Sequence, residues 1–288
     1  MYSIVPEQYL LNHIKLALEE DVRDGDHSSL ACISKTTKDK AKLIAKQDGI
    51  ICGIEIAKRV YSLVDNTIIF TPLMQDGDRI KKGDIVFRVE GSAIGILTAE
   101  RTALNYMQRL SGIATTTDHY VEIIKGTNAK LLDTRKTTPS MRLFEKYAVK
   151  VGGGYNHRIG LFDMIMLKDN HIDFAGGIKE AITKSRNYLK ENNKTLKIEI
   201  EVRSMEELEK VMDVGQVDRI MLDNFTPELT LEALKLIGGK YETESSGGIN
   251  EETILSFAKT GVDYISVGSL THQIKSLDLS LVADNNQA

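Results

Sequence analysis

Cys32 and Cys52 are the only cysteines in 288 residues, too few for a disulfide framework and not spaced as zinc ligands. Both are read as reduced, structural thiols. Long apolar runs are missing too: nothing approaches a membrane span, and the opening "MYSIVPEQYLLN" lacks the basic and apolar regions of a secretory signal. A folded cytoplasmic protein is expected. Positive charge is also short, with 37 Lys and Arg against 41 Asp and Glu and a formal net charge of -4. That balance argues against a broad nucleic-acid-binding face and confines any cationic site to a local cluster. With 42% hydrophobic and 27% charged residues, the composition is that of a soluble globular chain, neither disordered nor membrane-embedded.

The first part of the sequence mixes elements. "PEQYLLNHIKLALEED" has apolar residues at helical spacing with Pro6 at its start, and runs into the turn-rich "DVRDGDHSS". Short alternating segments, "AKLIAK" and "TIIFTPL", flank a helical "IEIAKRVYSLV", so a small α+β domain is predicted. The Asp-Gly and Lys-Gly-Asp turns of "DGDRIKKGDIVFRVEG" predict a β-hairpin. Biotinyl and lipoyl carriers use similar hairpins, but no lysine in a carrier setting is evident, so a platform within an enzyme is the better reading. "SAIGILTAERTALNYMQRLSGIATTTDHYVEIIKG" is helical throughout, and Gly112 is expected to break it into two helices near a domain boundary.

The second part is more regular. "KLLDT", "MIMLKD", "KIEIEV", "DRIMLD", "YETESS" and "YISVGS" each read as a short buried strand, most of them followed by an amphipathic helix. Alternation of this kind predicts parallel βαβ units. Ser204 with Glu207 makes a capping box, Pro227 suits a first helical turn, and Asn250 can cap "EETILSFAKTG". Glu201, Asp223, Ser245 and Gly268 fall at predicted strand ends, each about one strand-helix unit after the last. In an α/β barrel such positions meet at the rim where chemistry sits.

Asp133, Arg135, Lys136, Lys168 and Asp169 extend that rim upstream, and "KVGGGYNHRIG" adds His157 and Arg158 after three glycines. Cations facing Glu201 and Asp223 suit a polyanionic ligand with a divalent metal. "ESSGGIN" and "VGSLTH" stand where the last two barrel strands often build a phosphate site. Each residue also has a plainer reading. Arg101 on its helix reads as surface; Arg142, Lys146 and Lys150 read as an exposed stripe; His157 could merely cap a turn; His119 and His171 read as structural. Lys168 could instead form a Schiff base with a carbonyl substrate.

Beyond these readings, "DTRKTTPSMRLFEKYAVKVGGGYNHRIGLFDMIMLKDNHI", "EIEVRS", "MLDNF", "ESSGGI" and "ISVGSLTH", with "LTAERTALNYMQRLSGIAT", closely resemble the quinolinate phosphoribosyltransferase family. The resemblance implies an α/β fold, a small α/β sandwich domain (1–112) with an incomplete, open α/β barrel of parallel strands (113–270). Residues 271–288 would return to the first domain. It implies phosphoribosyl transfer from phosphoribosyl pyrophosphate to quinolinate with decarboxylation, giving nicotinate mononucleotide, CO2 and pyrophosphate for NAD synthesis. Mg2+ and a homodimer with shared sites come with it. Lys136, Lys168, Glu201 and Asp223 would be catalytic, the two carboxylates also holding the metal. Arg101 from the neighbouring subunit, Thr134, Arg135, His157 and Arg158 would bind quinolinate. Ser245, Ser246, Gly247, Gly248, Val267, Gly268 and Ser269 would bind phosphate. One departure is visible: Arg23 stands where the family's early loop commonly has glycine. The nearest rival is a phosphoribosyltransferase of the same fold acting on nicotinate or another small acid; a noncatalytic carrier is a more distant one.

Overall fold

The computed structural model describes residue 1 and residues 3–284. The chain divides into two compact units, the first drawn from Met1–Asp118, Leu143–Gly153 and Gln273–Ala288, the second from His119–Arg142 and Gly154–His272. Strands β1 (Lys38–Ala45), β2 (Gly49–Ile50), β3 (Ile69–Pro72), β4 (Arg79–Ile80) and β5 (Ile85–Ser92) belong to the first unit. The second holds β6 (Lys130–Leu132), β7 (Ile165–Leu167), β8 (Ile198–Val202), β9 (Arg219–Asp223), β10 (Glu242–Ser246) and β11 (Tyr264–Ser266). The chain then returns to the first unit as β12 (Leu279–Ala283).

In the first unit a four-stranded antiparallel sheet runs in the order β12-β1-β5-β3. Its β12 edge is held by side chains as well as by the ladder: Asp284 pairs with Lys42 at 2.7 Å and Arg88 at 2.8 Å. The predicted hairpin is not formed. β4 pairs with β2 while β5 pairs with β1 and β3, because Gly77 and Gly83, both at positive φ, turn the chain out of one sheet and into the other. Nor does Gly112 break a helix. Ala93–Ile123 is one continuous helix, and a Cβ at Gly112 would lie 2.4 Å from the main-chain oxygen of Lys275. That glycine serves close approach, a use that periodicity does not reveal.

The stripe expected on the helix Arg142–Val151 is broken: Lys150 is exposed and Arg142 half-buried, but Lys146 is neither. Lys146 is completely buried, Glu145 beside it receives Arg109 at 2.6 Å, and Phe144 packs among His13, Tyr9 and Tyr106. Helical spacing marks a face; it does not say whether a second layer covers that face. Arg23 has φ 47°, so the early loop keeps the left-handed turn that glycine would make without strain.

The second unit carries a six-stranded parallel sheet in the order β6-β11-β10-β9-β8-β7. First and last strands in sequence are neighbours, the closure expected of a barrel, while β6 and β7 do not pair with each other and leave it open. Tyr155 adds one parallel bridge to Leu132 on the open side. Caps hold the intervening helices, though Asn250 is not one of them: the helix after it begins at Ile254 with Thr253 at its N-cap. Ser204 accepts from the Glu207 N–H, Thr226 from that of Leu229 with Pro227 following, and Gly238 closes a helix in the left-handed region. Outside the strands Ile198, Ile200, Val202, Ile220 and Leu222 pack against Ala181, Leu208, Val211, Ala233 and Ile237 of the helices. Among the described residues no helix is long and apolar enough to cross a membrane.

Candidate active site

With the aliphatic residues of β8 and β9 facing the helices, period-two alternation turns their polar residues the other way. Glu199 and Glu201 share the opposite face of β8, and Arg219, Met221 and Asp223 that of β9. The parallel register sets Glu199 and Glu242 level with Arg219, Glu201 and Glu244 level with Met221, and Ser246 level with Asp223. The inner wall is therefore charged over its depth, from Arg219 at one end of β9 to Asp223 at the other. Arg219 reaches Glu244 at 3.0 Å and Glu242 at 3.1 Å, and its guanidinium carbon lies 4.0 Å from the Tyr264 ring centroid. Stacking and two carboxylates fix that guanidinium in one orientation.

Above this layer sits the segment from Tyr155 to Gly160, which has no regular secondary structure beyond its single bridge and is ordered by side chains. Asp133, fully buried after β6, accepts from the His157 N–H at 2.9 Å and from the Asn156 amide at 2.6 Å. His157 Nδ1 accepts from the Arg158 N–H at 2.7 Å. Asp163 accepts from the N–H groups of Ile159 at 2.7 Å and Gly160 at 2.9 Å. Four consecutive main-chain donors are thus held by three side chains, and the backbone that carries Arg158 is fixed. The glycines upstream allow the approach: a Cβ at Gly152 would meet the Ala114 main-chain oxygen at 2.4 Å, and Gly153 has φ 87°.

His157 is 7% exposed, with Nε2 2.9 Å from Glu199 and 3.5 Å from Glu244. Burial pushes its pKa down, but the two carboxylates outweigh that and carry it up to about 9. The Arg158 N–H opposes this pull toward a second ring proton, because Nδ1 must keep its lone pair to accept that bond. Burial, and then the Glu244 charge, raise the Glu199 pKa to about 7. Glu244 stays below its ordinary value despite burial, held there by His157 and Arg219.

At the rim, Lys168 at the end of β7 donates to Glu201 at 2.5 Å. Asp223 receives the Asn224 amide at 2.6 Å. Asn224 also takes up the Ser246 carbonyl at 2.8 Å and closes on Gly247, whose φ of 95° and lack of a Cβ permit the contact. Thr134 accepts from the Lys136 N–H at 3.0 Å, and Thr271 donates to the Lys136 carbonyl at 2.7 Å. The aliphatic stem of Lys136 lies against Gly268, where a Cβ would meet its Cδ at 3.1 Å. Val267 is tied to β6 by its N–H on the Leu132 carbonyl, and Ser269 opens a single turn, Ser269–His272.

Arg135 and Arg158 are crowded together. Burial, then the charge of Arg135, lowers the Arg158 pKa, and Arg135 Nε is buried with no hydrogen-bond partner in the protein. Two guanidiniums close together, one buried and the other half-buried with a buried donor unsatisfied, make a site that an anion would complete.

The second unit thus gathers Thr134, Arg135, Lys136, His157, Arg158, Lys168, Glu201, Asp223, Ser246, Gly247, Gly248, Gly268 and Ser269 on the loops and strand ends of one sheet. Ser245 is fully buried and, by alternation, on the helix-facing side of β10. Arg101 is exposed on the long helix of the first unit. His171 takes the N–H of Lys168 on Nδ1 and His119 pairs with Glu251, structural roles as read from the sequence. Arg142 instead braces the site's loops, donating to Thr137 at 3.0 Å and to the Ile159 carbonyl at 3.2 Å. Sequence reasoning missed Glu199, Arg219 and Glu244. Strict I-E-I-E alternation in "KIEIEV" was the available signal, since a strand packed between apolar layers on both faces does not carry a charge at every second position.

Comparison with known proteins agrees with this geometry. The sequence profile of the quinolinate phosphoribosyl transferase N-terminal domain matches residues 26–111, and that of the C-terminal domain matches residues 113–282. A mitochondrial quinolinate phosphoribosyltransferase [decarboxylating] of Nicotiana tabacum is 42% identical over 98% of this chain and 84% of its own length. A probable nicotinate-nucleotide pyrophosphorylase [carboxylating] of Bacillus subtilis is 43% identical over 94% of this chain and 91% of its own. Among solved structures, NadC from Streptococcus pyogenes superposes with a TM-score of 0.90 at 45% identity, covering 94% of this chain and 96% of that one. The nicotinate-nucleotide pyrophosphorylase from Francisella tularensis gives 0.91 at 41% identity, covering 97% and 98%. With both domain profiles matched in order and identity above 40% over nearly the whole length, this chain belongs to the quinolinate phosphoribosyltransferase family.

Proposed function

We propose that this protein transfers the phosphoribosyl group of phosphoribosyl pyrophosphate to quinolinate, with decarboxylation to nicotinate mononucleotide, CO2 and pyrophosphate. The adjacent guanidiniums of Arg135 and Arg158, with the buried Arg135 Nε unsatisfied, carry the reading. One carboxylate would satisfy one guanidinium, whereas a substrate with two adjacent carboxylates uses both. Arg101 from a second copy in a homodimer and Lys136 add cationic contacts, in keeping with a substrate that brings several negative charges to an acidic protein. The glycine turns at Gly247 and Gly248, with Ser246, Gly268 and Ser269, offer small side chains and main-chain N–H groups for phosphate.

Glu201 and Asp223 suit Mg2+, being hard oxygen donors at the ends of neighbouring strands, and the Lys168 contact with Glu201 can be exchanged when a metal enters. Bound there, Mg2+ would neutralise charge on the departing pyrophosphate. The chain's own residues do the rest. The arginines hold the pyridine so that its ring nitrogen faces the anomeric carbon, and the two carboxylates stabilise the oxocarbenium-like charge that develops as the bond to pyrophosphate breaks. The ring nitrogen is cationic once ribosylated, so the adjacent carboxylate leaves as CO2 with its electron pair stabilised by the ring. Cytoplasmic placement is part of the same proposal.

The test is to follow CO2 and pyrophosphate from purified protein with phosphoribosyl pyrophosphate and Mg2+, supplying quinolinate or nicotinate in parallel. Equal release of both products with quinolinate, and none with nicotinate, is expected. Pyrophosphate release with nicotinate alone would refute the dicarboxylate reading.

A further inference from the structure

His157 lies beside Arg158 in the proposed dicarboxylate pocket, which invites the reading that its imidazole grips the substrate. Its ring nitrogens are already used. Nδ1 accepts the Arg158 N–H at 2.7 Å, and Nε2 faces the buried carboxylates of Glu199 at 2.9 Å and Glu244 at 3.5 Å. Those carboxylates are fixed in turn: Glu244 is bound by Arg219 at 3.0 Å, and Arg219 is stacked on Tyr264 and tied to Glu242. We propose that His157 is a positioning residue that never touches the substrate, the upper end of an Arg219–Glu244–His157 column rooted in the barrel, whose task is to lock the main chain of Arg158. The inference rests on the quinolinate reading of the site.

Three features support it beyond the two contacts. The ring is almost entirely buried. Its neighbours in the segment do the same work, since Asp133 holds the N–H before it and Asp163 the two N–H groups after, so His157 fills the one remaining place in that series. A ligand carboxylate seeking Nε2 would also have to approach Glu244, which His157 and Arg219 keep ionised and which would repel it.

The test compares His157→Ala, His157→Asn and the wild type for kcat and for KM toward quinolinate and toward phosphoribosyl pyrophosphate. Asn can set Oδ1 where Nδ1 stands and accept the same N–H, but it carries no ring and no second nitrogen. Loss of one such hydrogen bond is worth roughly 3- to 10-fold. His157→Ala is therefore expected to raise KM for quinolinate about 10-fold, with KM for phosphoribosyl pyrophosphate little changed, and His157→Asn to recover to within about 3-fold of the wild type. In parallel, the wild type carrying 15N-labelled histidine is titrated with quinolinate in the absence of phosphoribosyl pyrophosphate, and the His157 ring resonances are assigned by their loss in the Asn variant. Ring shifts that stay fixed as quinolinate saturates the protein support positioning. Ring shifts that move on saturation, or Asn and Ala variants equally impaired, overturn it and make His157 a ligand. A wild type that neither binds nor turns over quinolinate is a different result, which removes the functional reading and this inference with it.

Discussion

Replacing Arg219 by Met takes the only guanidinium out of a wall that holds Glu199, Glu242 and Glu244. At 3.0 Å from Glu244 and an effective dielectric of about 20, the attraction lost is about 5.5 kcal/mol. Part of it was offsetting the dehydration of the guanidinium itself, which methionine does not incur. Breaking a buried pair by removing one partner costs about 3–5 kcal/mol overall, and Arg219→Met should fall in that range near pH 7.5. The loss should shrink on acidification. Glu199, already raised to about 7 by burial and Glu244, and Glu244, which loses a cation that held its pKa down, would take up protons in the folded variant well before they do in the unfolded chain. A carboxyl with a raised folded pKa contributes stability below its unfolded value that is lost as pH rises through the folded one. The variant should therefore be closest to wild type near pH 5. Urea unfolding at pH 7.5 and pH 5.5 reads this, followed by far-ultraviolet circular dichroism because the chain has no tryptophan. Arg219→Met/Glu244→Met should recover about 2 kcal/mol or more of the single loss. A single variant within about 1 kcal/mol of wild type at pH 7.5, or one equally weakened at both pH values, would refute the column of charges as described.

Gly112→Ala should lower stability by about 1–2 kcal/mol despite the roughly 1 kcal/mol that alanine adds to a helix, since its Cβ would press on the Lys275 carbonyl; thermal unfolding decides. Arg23→Gly should raise stability by about 0.5–1 kcal/mol by relieving the left-handed backbone at φ 47°, measured the same way. Borohydride added with both substrates should leave Lys168 unmodified by mass, because its amine is engaged by Glu201; an adduct there would restore the Schiff-base reading.

Most of the second unit was legible because each of its parts announces itself locally. Short strands, capped helices and a near-constant spacing put Glu201, Asp223 and Gly268 at one rim from the sequence alone. Other features depend on what lies across from a residue. Gly112 looks like a helix breaker until Lys275 is seen against it, and Lys146 looks like one member of a solvated stripe until its helix is found buried. The turn at Lys81–Gly83 reads as a hairpin because turn chemistry says that the chain reverses without saying which strand it then joins. His157 illustrates the remaining limit: its neighbourhood in sequence marks a site, while its role is set by Glu199 and Glu244, distant in the chain.

The first unit is closed by a strand made after the whole of the second. β1 takes β5 on one side and β12 on the other, so as the chain is synthesised the early sheet keeps an open edge, with Lys42 and Arg88 still lacking their partner Asp284. All six strands of the parallel sheet are made within that interval. The order of assembly is then inside out: the catalytic sheet can be completed while the unit that precedes it in sequence is unfinished. An edge strand left waiting is also a place where a second chain can pair. Shortening the chain before Leu279 should accordingly harm the N-terminal sheet and promote aggregation, leaving the parallel strands of the second unit comparatively intact.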